Sequence, residues 1–448
     1  MDSHVRNRHC ASQQRHRYGC VPIFRDTSMT DANMDGWVSQ AHQPRGFPEF
    51  VALVACIMAL NPIATDMMLP AMPDLGDAYG IANPNHVQAV ISVFLAGFGA
   101  GQFIMGPLSD RFGRRPILIG GMLLYSAAGL LSVAASSFEM MLLARVLQGV
   151  GSSAARVIAT SIVRDCYTGR RMASVMSLAM MIFISVPVLA PSIGQAILLF
   201  AAWRGIFVVL TAYGLLALLW CAMRLPETLP PTDRKPLTAA NVFDAFRQTV
   251  TNRQTIGYAL AAGGVQSVLF AYVFCSQQIF TEVYGLGSYF PLAFAAIATG
   301  LAAAGFLNAR VVGRFGMRVI SHGALTGSVV IAALTLFAAW QGWLSFPIYM
   351  AFAIGTMFAF GLMFSNFTAL AMEPQGHIAG TASSLFGSIT TLIGSGVGAL
   401  IGQDFNGTML PFATGAFLCT IAAFVIVIVV ERGRLFVPHN PVVRPPPH

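Results

Sequence analysis

Twelve apolar runs of about twenty residues each follow one another along this chain, and a run of that length matches a helix crossing the hydrocarbon of a bilayer. Their approximate bounds are 48–69, 86–108, 115–135, 139–163, 173–199 and 203–224. After a polar stretch come 254–280, 288–309, 318–340, 344–371, 378–402 and 409–431. In lipid the backbone has no water to bond, so each run must satisfy its own N–H and C=O groups, which a helix does within one segment. Only 10% of the residues are charged, against about 25% in a soluble domain. The chain therefore lacks the polar residues to cover its surface against water. The expected fold is an all-α polytopic membrane protein with twelve transmembrane helices.

The basic residues give the topology. With the loop 109–115 placed in the cytoplasm, seventeen of the 26 Lys and Arg residues fall in cytoplasmic loops or the C-terminal tail. They include Arg111, Arg114, Arg115, Arg164, Arg170, Arg171, Arg310, Arg314 and Arg318, whereas the opposite loops hold only Arg204. Arg145 and Arg156 lie inside a run, and six more precede residue 47. The positive-inside rule then places both termini in the cytoplasm, as an even number of spans requires. Because the net charge of +8 is spread over alternate loops rather than gathered on one face, it does not indicate a nucleic-acid partner.

Residues 1–46 are polar, rich in Arg and His, and without the apolar core of a signal peptide, so a disordered cytoplasmic tail is expected there. Met29 and Met34 leave a later start of translation open. Residues 433–448 form the second cytoplasmic tail. The stretch 225–253 holds Pro226, Pro230, Pro231, Asp233, Arg234, Lys235 and Pro236, followed by an amphipathic segment from Ala239 to Val250. It reads as a cytoplasmic linker between an N-terminal six-helix bundle at 47–224 and a C-terminal one at 254–432. The halves echo each other, since Arg111-Phe112-Gly113-Arg114-Arg115 and Arg314-Phe315-Gly316-Met317-Arg318 each follow the second run of a half. Related halves are one way to build a site at the membrane midplane. The seven cysteines show no CxxC spacing, so no metal site or disulfide framework is expected.

Polar residues inside apolar runs are costly and mark function. In the first run the one deep carboxylate is Asp66, within Asn61-Pro62-Ile63-Ala64-Thr65-Asp66. Low dielectric favours a neutral acid and a nearby guanidinium favours the anion, so an acid poised between them can take up and release a proton. The bland alternative is a cap on an unwound helix end, since Pro70 and Pro73 follow. In the fourth run Arg145, Gln148, Ser152 and Arg156 recur at helical spacing and share one face, turned to a partner or a water-filled cavity, or held in a static ion pair. The loop Gly106-Pro107-Leu108-Ser109-Asp110-Arg111-Phe112-Gly113-Arg114-Arg115 joins a helix end, a tight turn, several guanidiniums and one carboxylate. Such a cluster can hold helix ends together in one state and release them in another, or serve topology alone. Pro187 and Pro191 invite a bend in the fifth run. Gly380, Gly387, Gly394, Gly398 and Gly402 in the eleventh allow close packing, for which Gly97 and Gly101 of the second run, in the other half, are the expected counterpart. Substrate contacts are sought among Gln148, Arg156, Gln266, Tyr272, Gln277, Gln278, Phe364 and Asn366, with Met180 and Met181 as adaptable apolar surface.

The loop motif resembles, nearly position for position, the cytoplasmic signature of the major facilitator superfamily, and Arg145-Val-Leu-Gln148-Gly149-Val-Gly151 resembles its RxxQGxG motif. The run Thr65-Asp66-Met67-Met68-Leu69-Pro70-Ala71-Met72-Pro73 is similar to the TDMYLPALP signature of the Bcr/CflA subfamily of drug:proton antiporters. So are Ile162-Val163-Arg164-Asp165, Leu189-Ala190-Pro191-Ser192-Ile193-Gly194, and Ala371-Met372-Glu373-Pro374 followed by Ala379-Gly380-Thr381-Ala382-Ser383-Ser384-Leu385. The resemblance covers about 47–432. It implies a gating network of Asp110 and Arg114 with Asp165, flanked by Arg111 and Arg115. It makes Pro187, Pro191 and Gly194 the antiporter motif of the fifth span. Met68 replaces a usual Tyr and Gln195 a usual Gly, while Gly313 and Met317 replace an acid and an Arg in the second-half loop. That loop is therefore expected to keep topology without a full gating network.

The resemblance implies a bacterial inner-membrane, monomeric exporter that exchanges protons for small drug-like or metabolite compounds by alternating access. In that role Asp66 and Arg145 couple the protons. Its partners are a small-molecule substrate, protons and lipid, with no nucleic acid, cofactor or metal. The nearest rival is a proton symporter for nutrient uptake. An enzyme would need a nucleophile–base pair or metal cluster, and neither HExxH nor GxSxG occurs; an ion channel would need a filter repeat, and direct ATP drive a phosphate-binding loop.

Overall fold

The computed structural model describes residues 46–167, 169–234 and 239–437, and every regular element among them is helical. The expected tail at 1–45, Lys235 and the end of the second tail from 438 lie outside the described residues.

The first crossing begins with α1 (Phe47–Asp66), whose first turn carries Pro48, where the missing N–H has no helical acceptor in any case. A 3₁₀ turn at Leu69–Ala71 and a short helix α2 (Met72–Ala78) follow. The apolar stretch therefore runs to Ala78 rather than ending at 69. Pro70 and Pro73 occupy first-turn positions of new helical segments, where proline starts a helix instead of stopping one.

After α3 (Pro84–Val87) come α4 (Ala89–Phe112), α5 (Arg114–Ala134), α6 (Phe138–Cys166), α7 (Gly169–Leu198) and α8 (Arg204–Arg224). The α6 N-terminus is capped by Ser137, whose hydroxyl accepts the Met140 N–H at 3.2 Å. The amphipathic segment of the linker is α9 (Ala239–Thr251), and the second half comprises α10 (Arg253–Gln278), α11 (Phe290–Phe315), α12 (Met317–Trp340), α13 (Phe346–Met372), α14 (Ala379–Gln403) and α15 (Leu410–Val430). Eleven helical stretches among the described residues are long and apolar enough to cross a membrane. The expected fifth span falls on α7, whose stretch Ser185–Leu198 is apolar but shorter.

In the first half α4 packs on α6, α5 on α6 and α8, and α1 on α7. In the second half α10 packs on α13, α14 and α15, and α12 on α13 and α15. The halves meet chiefly where α4 packs on α14 and α7 on α11, with smaller contacts of α3 on α14 and of the 69–71 turn on α10. One expectation is corrected by the helix period. Gly97 and Gly101 face α6, where a methyl group on either would strike the backbone of Val146 or the side chain of Ser153. The face of α4 that meets α14 is rotated away and carries Gly99, Gln102 and Gly106.

Candidate functional site

Asp66 is the last residue of α1, 5% exposed, and among the described residues it is the one buried carboxylate. Among the described residues its one hydrogen-bond partner is Thr65, whose hydroxyl lies 2.9 Å from Asp66 Oδ1. Asp66 thus both ends a helix and is sealed from solvent. The neighbouring backbone gathers other helices. The Ala64 carbonyl accepts Arg145 Nη2 at 2.9 Å, and Gly194 of α7 sits against the Met67 carbonyl, closer than any side chain would allow. Tyr272 of α10, buried with an unpartnered hydroxyl, stacks on Phe294 at 5.3 Å between ring centroids.

Arg145 is fully buried, and no ion pair joins it to Asp66. Its guanidinium donates to the carbonyls of Val90 at 3.1 Å and Ala64 at 2.9 Å, and to Gln148 Oε1 at 2.7 Å. It also lies over the Phe94 ring at 4.3 Å. Among the three options the sequence left open for this cation, carbonyl dipoles, Gln148 and a ring face supply the partners. Gln148 and Ser152 are buried on the same face and Arg156 is half-buried beyond them. The adjoining Gly149 brings α6 onto α4, since a side chain there would meet the Phe94 carbonyl.

At the end of α4 the loop motif closes into a cluster. Gly113 turns the chain at φ 104°, a conformation open to glycine, and Gly316 repeats it at φ 82° in the second half. Arg114, 3% exposed, bonds Asp110 at 2.5 Å, Asp165 at 3.0 Å and the Ser109 hydroxyl at 2.8 Å. Arg111 and Arg115 are exposed, and Arg115 Nη2 donates to the Ala222 carbonyl at 2.7 Å. Sequence reasoning missed Glu227, which accepts the backbone N–H groups of Arg114 at 2.9 Å and Arg115 at 3.2 Å. It caps the positive end of α5 from the linker. The available signal was a lone acid just after Pro226, opposite an uncapped helix start.

Removing Arg114 would leave Asp110 and Asp165 without their cation. We expect Arg114→Gln to cost about 3 kcal/mol, seen as a lower melting temperature in detergent. Arg115→Gln should change stability by less than about 0.5 kcal/mol. Equal effects of the two would contradict the assignment.

The second-half loop, expected to keep topology without a full gating network, carries an ion-pair cluster of its own. Arg318 bonds Glu431 at 3.0 Å and Glu373 at 3.4 Å. The acids come from the ends of α13 and α15, far away in sequence, which is why position 313 gave no sign of them. Tyr258 donates to Glu431 at 2.6 Å, and its oxygen lies 3.1 Å from His322 Nε2. Burial pushes the Glu431 carboxyl up, but hydrogen bonds from Tyr258 and Arg318 and the Arg318 charge outweigh it and hold the group below the usual Glu range. An acid with a depressed folded-state pKa stabilises at pH above its unfolded value, about 4.3. That contribution is lost as pH falls through the lower folded value. Wild-type protein should therefore lose melting temperature below about pH 4 more steeply than Glu431→Gln, measured by thermal shift.

At the opposite end of α4, about 36 Å away along 24 residues, the halves are tied by amides. Asn85 Nδ2 donates to the carbonyls of Gln403 at 2.9 Å and Phe405 at 2.7 Å, and Gln403 returns a bond to the Asn85 carbonyl at 2.7 Å. Gln278 donates to Asn85 Oδ1 at 2.9 Å and accepts from Gln88. Gln278, a candidate substrate contact, is thus engaged in this clamp.

The other candidates are dispersed. Gln266 is half-buried against α14 with a free Oε1, Gln277 bonds Thr281 at 3.1 Å, and Phe364 stacks on Phe360 at 5.3 Å. Asn366 spends its amide on Asn308 and the Leu362 carbonyl, both at 2.7 Å, as a link between α13 and α11. Pro187 and Pro191 lie inside α7 without ending it. The side chains of Met180 and Met181 lie outside the described residues.

Residues 54–399 match the family model described as Major Facilitator Superfamily. An uncharacterized MFS-type transporter, YdgK, of Bacillus subtilis is 33% identical over 85% of this chain and 95% of its own length. A bicyclomycin resistance protein homolog of Haemophilus influenzae is 28% identical over 82% of this chain and 92% of its own. Among solved structures, a D-xylose–proton symporter superposes with a TM-score of 0.64 at 14% identity, over 86% of this chain and 99% of that one.

Proposed function

Because the chain belongs to the major facilitator superfamily and resembles its Bcr/CflA-type drug-efflux members, we propose that it is a secondary active exporter exchanging protons for small drug-like or metabolite compounds. The chain crosses the bacterial plasma membrane twelve times in two six-helix bundles, with α7 as the fifth span and both termini cytoplasmic, and works as a monomer. The observation that carries this reading is Asp66, a buried acid with no counter-ion among the described residues, at a helix break where α6, α7 and α10 converge. Such a group can change its protonation as the halves rock and water reaches it from alternate sides. Arg145, two carbonyls away, keeps that turn in place rather than neutralising the acid. The Arg114 cluster and the amide clamp hold opposite ends of the first half, and the clamp, unlike the cluster, reaches across to the second half.

Bicyclomycin resistance in a relative favours export, whereas the symporter's similar fold keeps uptake as the second reading. Expression in a pump-deficient bacterium with a compound panel tests this. Selective loss of accumulation, restored by an uncoupler, is expected; uncoupler-sensitive gain of a compound would favour uptake. The clamp gives a separate prediction. Asn85→Ala combined with Gln278→Ala should increase labelling of a cysteine at position 405 by a membrane-impermeant maleimide, and unchanged labelling would show that these amides do not hold that end shut.

A further inference from the structure

Thr65 holds a hydroxyl with more acceptors than it has protons. Its Oγ1 lies 2.9 Å from Asp66 Oδ1, 3.1 Å from the Pro62 carbonyl and 3.3 Å from the Asn61 carbonyl. A hydroxyl donates one hydrogen bond at a time and can accept others. An ionised Asp66 is the strongest acceptor of the three, so the Thr65 proton points at it. A protonated Asp66 becomes a donor itself and can bond Thr65 Oγ1, which frees the Thr65 proton to swing to Pro62 or Asn61. Two features make this exchange consequential. Among the described residues Thr65 is the one hydrogen-bond donor at the Asp66 carboxylate. The turn that receives the swung proton is also the turn held by Arg145 at Ala64 and pressed by Gly194 at Met67.

We propose that Thr65 is a positioning residue that orients the Asp66 carboxylate and passes its protonation state to the last turn of α1 by switching its hydroxyl between the side chain and the helix carbonyls. This rests on the proposed role of Asp66 as the proton site. Thr65→Val keeps the shape and removes the hydroxyl, whereas Thr65→Ser keeps the hydroxyl. The purified full-length protein in lipid nanodiscs is titrated by infrared spectroscopy, following the C=O band of protonated carboxyls, with protons as the only ligand. Loss of one titrating component in Asp66→Asn assigns it to Asp66. Its midpoint should be displaced by about one pH unit or more in Thr65→Val, the equivalent of one charge-assisted hydrogen bond. In Thr65→Ser it should stay within about 0.3 unit of wild type. An equal displacement in both variants, or in neither, overturns the role of Thr65 while leaving that of Asp66 intact. A component that persists unchanged in Asp66→Asn overturns the reading of Asp66 itself.

Discussion

Asp66→Asn is expected to reduce proton-driven transport to the rate of vesicles without protein, while insertion and folding survive. The side chains are nearly isosteric, and Asn keeps an oxygen to accept the Thr65 hydroxyl that now lies 2.9 Å away. What is lost is the ability to ionise. The new amide places two N–H groups where the second carboxylate oxygen stood, at a cost of about 1–3 kcal/mol if they find no acceptor. A loss of that size lowers the melting temperature without unfolding a protein of this size in detergent. Transport in membrane vesicles, read beside expression level and gel-filtration profile, separates the two effects. Undiminished proton-driven transport by the variant would remove Asp66 from the mechanism.

The second large effect is expected at Gly194. A side chain there meets the Met67 carbonyl oxygen, backbone against backbone, so neither partner can rotate away. Gly194→Val should force α7 off the end of α1 next to Asp66, costing about 1–3 kcal/mol as overpacking does. Transport should fall by about tenfold or more, the rate equivalent of misplacing the site by 1.4 kcal/mol. Gly120→Ala is the control, because a methyl group there enters open space, and it should leave stability and transport unchanged. If both variants transport alike, the close approach of α7 to α1 has no part in the cycle.

Much of the fold was legible because lipid leaves the backbone few choices. Apolar runs of the right length became helices with the expected order, and the glycine turns at 113 and 316 reappear with matching positive φ. Where the reading slipped, long-range geometry decided. Pro70 and Pro73 looked like terminators and instead begin new turns. Gly97 and Gly101 form a pattern that says two helices approach closely but not which two, and they meet α6 rather than α14.

The candidate site divides in the same way. Asp110, Arg114 and Asp165 were grouped through resemblance and lie together. The counter-charges of Arg318 sit 55 and 113 residues away, at the ends of other helices, and no local motif announces them. Asp66 and Arg145 were grouped through resemblance as the proton-coupling pair, and the Arg145 guanidinium bonds carbonyls and Gln148 and lies over a Phe ring. Asp66 then has no ion pair among the described residues, and attention shifts to Thr65, which no charge-based reading would have selected. Asn366 looked like a substrate contact because it is polar and deep, but its partner Asn308 on α11 is invisible from the α13 sequence alone.

The most direct test reconstitutes the purified protein into liposomes that trap a pH-sensitive dye, and adds outside the compound found in the efflux screen. Exchange predicts that inward movement of the compound drives protons out, so the interior turns alkaline, and that Asp66→Asn shows no change. Acidification of the interior as the compound enters would establish symport and contradict the account.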